Sequence, residues 1–198
     1  QIVKIFTVGD IKSVRAYESD DPLTLLKVGV EPQETCQSWR RGGFNECLLA
    51  YVADSNKKVL NVADGEGRVV ARSVFKLTKQ RNENDFESKT QRNTLLVEKP
   101  YSLLPNSEVY RAFARVLLTK AQGLNASITF GKGFDKTAIE VFEEEARNFG
   151  YGMKEGVLNV FIPQSLNKYE YSDTLGGKIS YFDNYQQLEA ITFERERE

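Results

Sequence analysis

Two amphipathic segments stand out in the hydrophobic pattern of the chain, and they predict two helices. In Ser107–Ala121 the apolar positions recur with the period of about 3.6 that places them on one side of a helix. Pro105 and Asn106 precede this segment and are typical of a helix start. The second segment follows Asp135, which is a good capping residue, and ends at Gly150. We therefore expect helices on both sides of a short apolar run.

Short apolar or β-branched runs between polar turns predict the strands. Three of them are separated by the turn-forming sequences SNKK and DGEG, and they predict an antiparallel meander over residues 47–54, 59–64 and 68–77. A break in the alternation at Ser73–Phe75 predicts a bulge in the third strand. Further strands are expected over residues 3–8, 94–98, 127–130, 157–162, 178–182 and 190–194.

The region before the meander carries the signals of one short helix. Asp21, Pro22 and Gly29 delimit a short helix, since aspartate caps, proline enters and glycine ends helices. Residues 30–43 predict a structured loop. Residues 79–93 are charged and poorly patterned, and they predict an exposed loop.

The order of elements predicts an α/β (α+β) fold with a mixed, mostly antiparallel central sheet flanked by helices. We expect one domain over residues 1–198, in which an N-terminal strand, short helix and loop (1–45) and a C-terminal loop with strands (164–198) flank a core (46–163). Because the chain opens with Gln1 rather than Met, we also expect it to be a fragment excised from a longer protein.

Composition removes several classes of function. The 28 acidic and 27 basic residues give a net charge of −1, which favours neither nucleic acid nor an anionic membrane as a partner. No apolar run is long enough to predict a membrane span, so we expect a soluble, cytoplasmic domain. The chain has no histidine, which excludes a Ser/His/Asp triad, a Cys/His dyad and a His-ligated zinc. Two cysteines cannot form a four-thiolate site, so a metal would need oxygen ligands. The glutamates at positions 140 and 143–145 radiate around a predicted helix instead of converging, and we therefore expect no metal.

Several segments together resemble the GCN5-related N-acyltransferase (GNAT) superfamily. The hairpin at DGEGRVVARSVFKL is similar to the family's second and third strands, TLLVEKPY to its fourth, and SITF to its fifth. The helix at Ser107–Ala121 takes the place of the helix that receives the acyl-CoA pyrophosphate. The segment TAIEVFEEEARNFGYGMKEG resembles the terminal helix and its exit.

This resemblance implies acyl transfer from acetyl-CoA or another acyl-CoA to an amine. Glu98, at the end of the fourth strand, is then the candidate general base, and Tyr151 the candidate general acid in place of a helix tyrosine. The cofactor's phosphates would meet four polar residues around the helix start: Tyr101, Ser102, Asn106 and Ser107. Alternatively, Glu98 is a solvated strand end and the polar residues are plain helix caps.

A second hypothesis is a non-catalytic interaction or regulatory module with the same architecture. It is favoured by the absence of glycine from residues 101–107, where close approach of the backbone to a pyrophosphate would call for one. The partner would be another protein or the remainder of the parent polypeptide. The candidate binding residues lie in two loops: Trp39, Arg40 and Arg41 in the first, Tyr169 and Tyr171 in the second. Whether Cys36 and Cys47 form a disulfide remains open at this point.

Overall fold

A computed structural model describes residues 3–8, 11–40, 42–82, 91–103, 107–131, 134–161, 171–172, 177–178 and 185–196. Its helices are α1 (Pro22–Leu26), α2 (Leu48–Ala53), α3 (Ser107–Leu124) and α4 (Lys136–Asn148). The first strands are β1 (Val3–Val8), β2 (Ile11–Ser19), β3 (Lys57–Ala63), β4 (Val69–Asn82), β5 (Arg92–Val97) and β6 (Tyr101–Ser102). The others are β7 (Ser127–Gly131), β8 (Tyr151–Phe161), β9 (Tyr171–Ser172), β10 (Gly177–Lys178) and β11 (Tyr185–Arg195).

Nine strands of the described residues form one mixed sheet, in the order β1-β2-β3-β4-β5-β7-β11-β8, with β6 paired to β4. All its pairs are antiparallel except β5–β7. The far end of β4 also pairs with β8, so β4, β5, β7, β11 and β8 close into a ring. The mixed, mostly antiparallel sheet with flanking helices that the sequence predicts is confirmed.

The two faces of the sheet carry different helices. Helices α3 and α4 cover one face, where Phe113 and Phe142 join the largest buried cluster. Helices α1 and α2 cover the other face, where Leu25 and Tyr51 pack against Val59 of β3. A third apolar cluster lies inside the ring of strands: Leu96, Leu158, Val160, Leu188 and Ala190.

The predicted helix caps are confirmed. Asp135 accepts a hydrogen bond from the backbone nitrogen of Ala138 at 3.0 Å, and Asp21 accepts one from that of Thr24 at 2.8 Å. These carboxylates satisfy donors that a helix start otherwise leaves without an intrahelical partner. The caps therefore fix where α1 and α4 begin.

A buried glutamate ties α3 to α4. The Glu145 carboxylate accepts hydrogen bonds from Arg111 Nη1 at 2.9 Å and from Arg115 Nε at 2.8 Å. Burial by itself would raise the pKa of Glu145, but the hydrogen bonds from Arg115 and Arg111 outweigh it and hold the pKa below its usual value. The ionised carboxylate is thus the form that the folded chain favours.

Glu145→Gln is expected to lower the free energy of unfolding by about 1–3 kcal/mol at neutral pH, because two guanidinium groups lose a charged acceptor. A carboxyl whose pKa is depressed by folding contributes fully above its unfolded value, and the contribution disappears as the pH falls through the folded value. Urea unfolding from pH 7 to pH 3 should therefore show the two curves converging in acid. Glu143→Gln, which alters an exposed ion pair of the same helix with Arg147, is the control. A deficit in the Glu145 variant that is unchanged at pH 3 would contradict this account.

Several predictions about the strands are wrong. Residues 79–82 and 92–93, predicted as parts of an exposed loop, extend β4 and begin β5, and Gln80 is buried there. Residues 47–54 form a short 3₁₀ turn and α2 instead of a strand, because Leu48 and Tyr51, three positions apart, are both buried on one side of a helix. The meander uses β2 in its place, a strand that the sequence analysis missed. The register shift lies between Val62 and Ala63 of β3, not at residues 73–75. The predicted strand 178–182 lies outside the described residues except for Lys178, which ends β10.

Candidate functional site

The two parallel strands β5 and β7 separate at one end, where the resemblance places the acyl-CoA. They pair at Thr94–Ser127, Leu95–Ile128 and Leu96–Thr129, and no pairing follows. The segments that follow these pairs, Val97–Glu98 and Phe130–Gly131, therefore line a cleft. The separation that the acyltransferase hypothesis requires is present in the backbone.

Side chains fill this cleft on the helix side. A cavity between the end of β5, α3 and α4 has a volume of about 10 Å³. Its nine lining residues include four aromatic ones, Tyr110, Phe113, Phe134 and Phe142. That volume is at most about one water-sized sphere. Among the described residues, this cavity does not have room for the pantetheine arm of an acyl-CoA.

On the other side of the cleft, Glu98 is buried in an ion pair. Its Oε1 lies 3.0 Å from Lys76 Nζ and accepts a hydrogen bond from Ser172 Oγ at 2.7 Å. Ser73 Oγ donates to the Glu98 carbonyl oxygen at 2.7 Å, which holds the backbone at the strand end. The carboxylate that the sequence analysis selected as a base is thus enclosed and engaged with a cation.

Further buried polar groups lie between this ion pair and α2. The Nζ atoms of Lys57 and Lys76 lie 5.9 and 5.8 Å from the centre of the Tyr51 ring, and Lys57 forms a buried ion pair with Asp54. The Tyr51 hydroxyl accepts a hydrogen bond from Gln37 Nε2 at 3.1 Å. Burial raises the pKa of Tyr51 well above its usual value, so the phenol stays neutral. Sequence reasoning missed this cluster, because only the strand register brings Lys57 and Lys76 side by side.

The two predicted catalytic residues are far from each other. The Tyr151 hydroxyl donates to the carbonyl oxygen of Ala126 at 3.2 Å, just before β7 begins. Glu98 lies beyond the other end of this parallel pair, since Thr94 is the residue that faces Ser127. At about 3.3 Å per residue the two positions are offset by roughly 16 Å along the strands. Tyr151 is buried, and burial raises its pKa. The structure does not bring this pair into one site.

The residues predicted to meet the phosphates are spread over two elements. Tyr101 and Ser102 form β6 and are half-buried, and the guanidinium of Arg72 lies 4.6 Å from the centre of the Tyr101 ring. Ser107 is the exposed first residue of α3. Asn106 lies outside the described residues. In the described part of this segment, Ser107 remains a candidate for contact with a phosphate at the start of α3. The backbone of β6, by contrast, is hydrogen-bonded to β4.

Helices α1 and α2 and the segment between them expose large apolar side chains. The exposed fractions are 69% for Leu23, 50% for Trp39, 54% for Leu49 and 37% for Val52. Leu49 and Val52 are one helical turn apart on the side of α2 opposite to the buried Leu48 and Tyr51. The sequence analysis missed them because it interpreted this segment as a strand. We call these four residues, Leu23, Trp39, Leu49 and Val52, the α1–α2 surface.

The remaining partner candidates are only partly described. Arg40 is exposed and lies 3.6 Å from Glu34 as an ion pair. Tyr171 begins β9. Arg41 and Tyr169 lie outside the described residues.

The structure also bears on cysteine and metal chemistry. Cys36 is exposed, Cys47 is buried, and the two do not form a disulfide with each other. Within the described ranges, no group of three or more Cys, Asp or Glu side chains is placed to hold a metal ion. In the same ranges, no helix combines the length and the apolar character that crossing a membrane requires.

Comparison with known proteins gives structural matches only. No family model and no curated protein matches the chain. Matched structures include NAA60 of Arabidopsis thaliana in complex with acetyl-CoA (9% identity, 91% of this chain and 95% of that chain, TM-score 0.46). A GNAT-family acetyltransferase from Staphylococcus aureus matches at 10% identity over 91% and 98% of the two chains (TM-score 0.40). A mutant of spermidine N-acetyltransferase SpeG from Vibrio cholerae matches at 12% over 90% and 91% (TM-score 0.41). These are structures of the kind that the sequence resemblance names, and at such identities and scores they carry no argument about substrate or mechanism.

Proposed function

We propose that this chain is a protein-interaction module that uses the α1–α2 surface to bind an apolar segment of another protein or of its own parent polypeptide. The observation that carries the proposal is the exposure of four large apolar side chains on α1, on α2 and in the segment between them. Where exposed apolar side chains form a contiguous patch, they mark docking sites.

The arrangement of this surface suits a binding site. The buried sides of α1 and α2 pack against the same face of the sheet, through Leu25 and Leu48, so their opposite sides face solvent together. Trp39 belongs to the segment between these helices, and Arg40 follows it. Tryptophan and arginine are enriched among the residues that dominate binding energies, and a rigid aromatic ring loses little entropy on binding.

The filled cleft supports the same proposal. A pantetheine arm would need the space that the aromatic side chains of α3, α4 and the preceding loop occupy, and about 10 Å³ remains. The candidate base Glu98 is engaged by Lys76 and Ser172. Both observations concern residues inside the fold, whereas the α1–α2 surface is already accessible.

Affinity capture with matched variants tests the proposal. Trp39→Ala and Leu49→Ser should each reduce, by about tenfold or more, the recovery of the proteins that cross-link to the wild-type chain. Truncation of a dominant interface residue has an effect of that size. Leu103→Ser is the control, because Leu103 is equally exposed at 53% but lies after β6. Quantitative mass spectrometry measures recovery, and thermal unfolding checks that each variant folds. Equal recovery by the wild type, the two test variants and the control, or unfolding of Trp39→Ala, would contradict the proposal.

The second candidate is an acyl-CoA-dependent N-acyltransferase, which the separation of β5 and β7 beyond Leu96 and Thr129 favours. This function requires Phe134 and its aromatic neighbours to move out of the cleft when the cofactor binds. It predicts that acetyl-CoA stabilises the native state, whereas a module with a permanently filled cleft predicts no effect.

A further inference from the structure

A wide groove lies at the end of the ring of strands opposite to the cleft. It has a volume of about 1000 Å³, and it is formed where β5, β7 and β8 begin and where β11 ends. Arg92, Ser127, Lys154 and Glu194 are among its lining residues. Neither the acyltransferase hypothesis nor the α1–α2 surface involves this groove.

Strand alternation places the polar lining on the inner side of the ring. Arg92 is two positions from Thr94 on β5, and Glu194 is two positions from Thr192 on β11. Lys154 of β8 faces Thr192 directly in the register. Since side chains two apart on a strand point to the same face, all these groups face the interior that the ring encloses. The groove is therefore the open mouth of a small barrel.

The floor of this mouth is polar. Buried hydroxyls of three strands meet there: Thr94 Oγ1 and Thr129 Oγ1 are 2.8 Å apart, and Thr129 Oγ1 and Thr192 Oγ1 are 3.4 Å apart. Thr129 also donates to Gln80 Oε1 at 2.7 Å. A mouth with such a floor suits a polar group better than an apolar one.

The charges of the groove leave a positive excess. Its lining residues include three cations and two carboxylates: Arg92, Lys154 and Arg195, and Glu194 and Glu196. Glu194 Oε2 forms ion pairs with the two cations that face the interior of the ring. It lies 3.4 Å from Arg92 Nη1 and 2.7 Å from Lys154 Nζ. A guanidinium has five N–H donors and an ammonium three, so each cation keeps donors for a further acceptor. Both cations are about half exposed or more, at 47% and 68%, whereas Glu194 is 15% exposed.

We propose that this groove binds a small molecule through an oxyanion, a phosphate or a carboxylate, which bridges Arg92 and Lys154 at the mouth of the barrel. The guanidinium supplies a pair of parallel donors to the anion and the ammonium supplies a point charge, while the Glu194 carboxylate competes with the anion for both cations. Ser127 and the amide side chains at the rim, Asn93 and Asn125, line the wall next to the body of the ligand.

Titration of the isotope-labelled protein followed by amide NMR tests this proposal. Phenyl phosphate and benzoate are the two anionic probes, and benzamide is the uncharged control of similar shape. We expect saturable shifts at the backbone amides around residues 92, 127 and 154 with either anion, and none with benzamide. If phenyl phosphate binds and benzoate does not, the oxyanion is a phosphate; the reverse identifies a carboxylate.

Three variants give effects of opposite sign. Arg92→Gln and Lys154→Gln should each raise the dissociation constant about fivefold or more, because a charge-assisted hydrogen bond is lost. Glu194→Gln should lower it, because the competing carboxylate charge is removed while the side chain keeps its shape. Arg147→Gln, which alters an exposed ion pair on α4, should leave it unchanged. The absence of saturable shifts up to about 20 mM of both anions, or a Glu194→Gln variant that binds more weakly, would overturn the proposal.

Discussion

Phe130→Ala is expected to lower the free energy of unfolding by about 3–5 kcal/mol, the usual cost of removing a fully buried phenylalanine. Phe130 is completely buried on β7, and its ring is surrounded by three others. The ring centres lie 4.6 Å from that of Phe134, 4.7 Å from that of Phe142 and 5.9 Å from that of Phe193. All three are edge-to-face contacts, which add to the apolar burial. The variant therefore loses both transfer free energy and aromatic contacts from one site.

Urea unfolding monitored by circular dichroism measures this loss. Leu23→Ala is the control, because Leu23 is 69% exposed and its truncation should change stability by no more than about 0.5 kcal/mol. A loss below about 1 kcal/mol for Phe130→Ala would mean that the aromatic cluster is not packed as described.

Glu98→Gln is expected to cost about 3–5 kcal/mol, because it leaves the buried Lys76 ammonium without its counter-charge. The double variant Lys76→Met/Glu98→Gln should recover much of that loss, since an apolar side chain replaces the uncompensated cation. Glu140→Gln is the control: Glu140 pairs with Lys136 on the exposed side of α4, where an ion pair contributes little.

Stability from chemical unfolding, compared across the three variants, separates two roles for Glu98. A buried partner of Lys76 gives a large loss in the single variant and recovery in the double variant. If Glu98 is instead a solvated strand end, Glu98→Gln changes the free energy of unfolding by no more than about 0.5 kcal/mol. That second result would restore Glu98 as an accessible residue.

Sequence reasoning succeeded where the signal is local. The periodic apolar positions of α3 and α4 and the caps at Asp21 and Asp135 depend on residues within a few positions of each other. The alternation in β2 was also local: Val14 and Ala16 are buried while Arg15 is exposed, so this missed strand was within reach. The segment that became α2 was not, because an apolar run of six residues suits a strand and a helix equally.

The candidate site depended on distant contacts, and there the sequence was a poor guide. Glu98 meets Lys76 and Ser172 only through strand pairing and the return of a C-terminal segment. The filling of the cleft by Phe134 and Phe142 reflects helix placement that no periodicity specifies. The resemblance correctly indicated that two central strands separate, but it did not indicate what fills the gap between them.

The central proposal is that side chains close the gap between β5 and β7 and that the chain acts through the α1–α2 surface. Thermal unfolding of the Arg92→Gln/Lys154→Gln variant, in which the groove at the barrel mouth has lost its two inner cations, with and without about 1 mM acetyl-CoA tests this most directly, because any ligand selective for the native state raises the midpoint by mass action. The account predicts the same midpoint in both conditions. A reproducible rise that grows with acetyl-CoA concentration, and that phosphate at the same ionic strength does not reproduce, would contradict it.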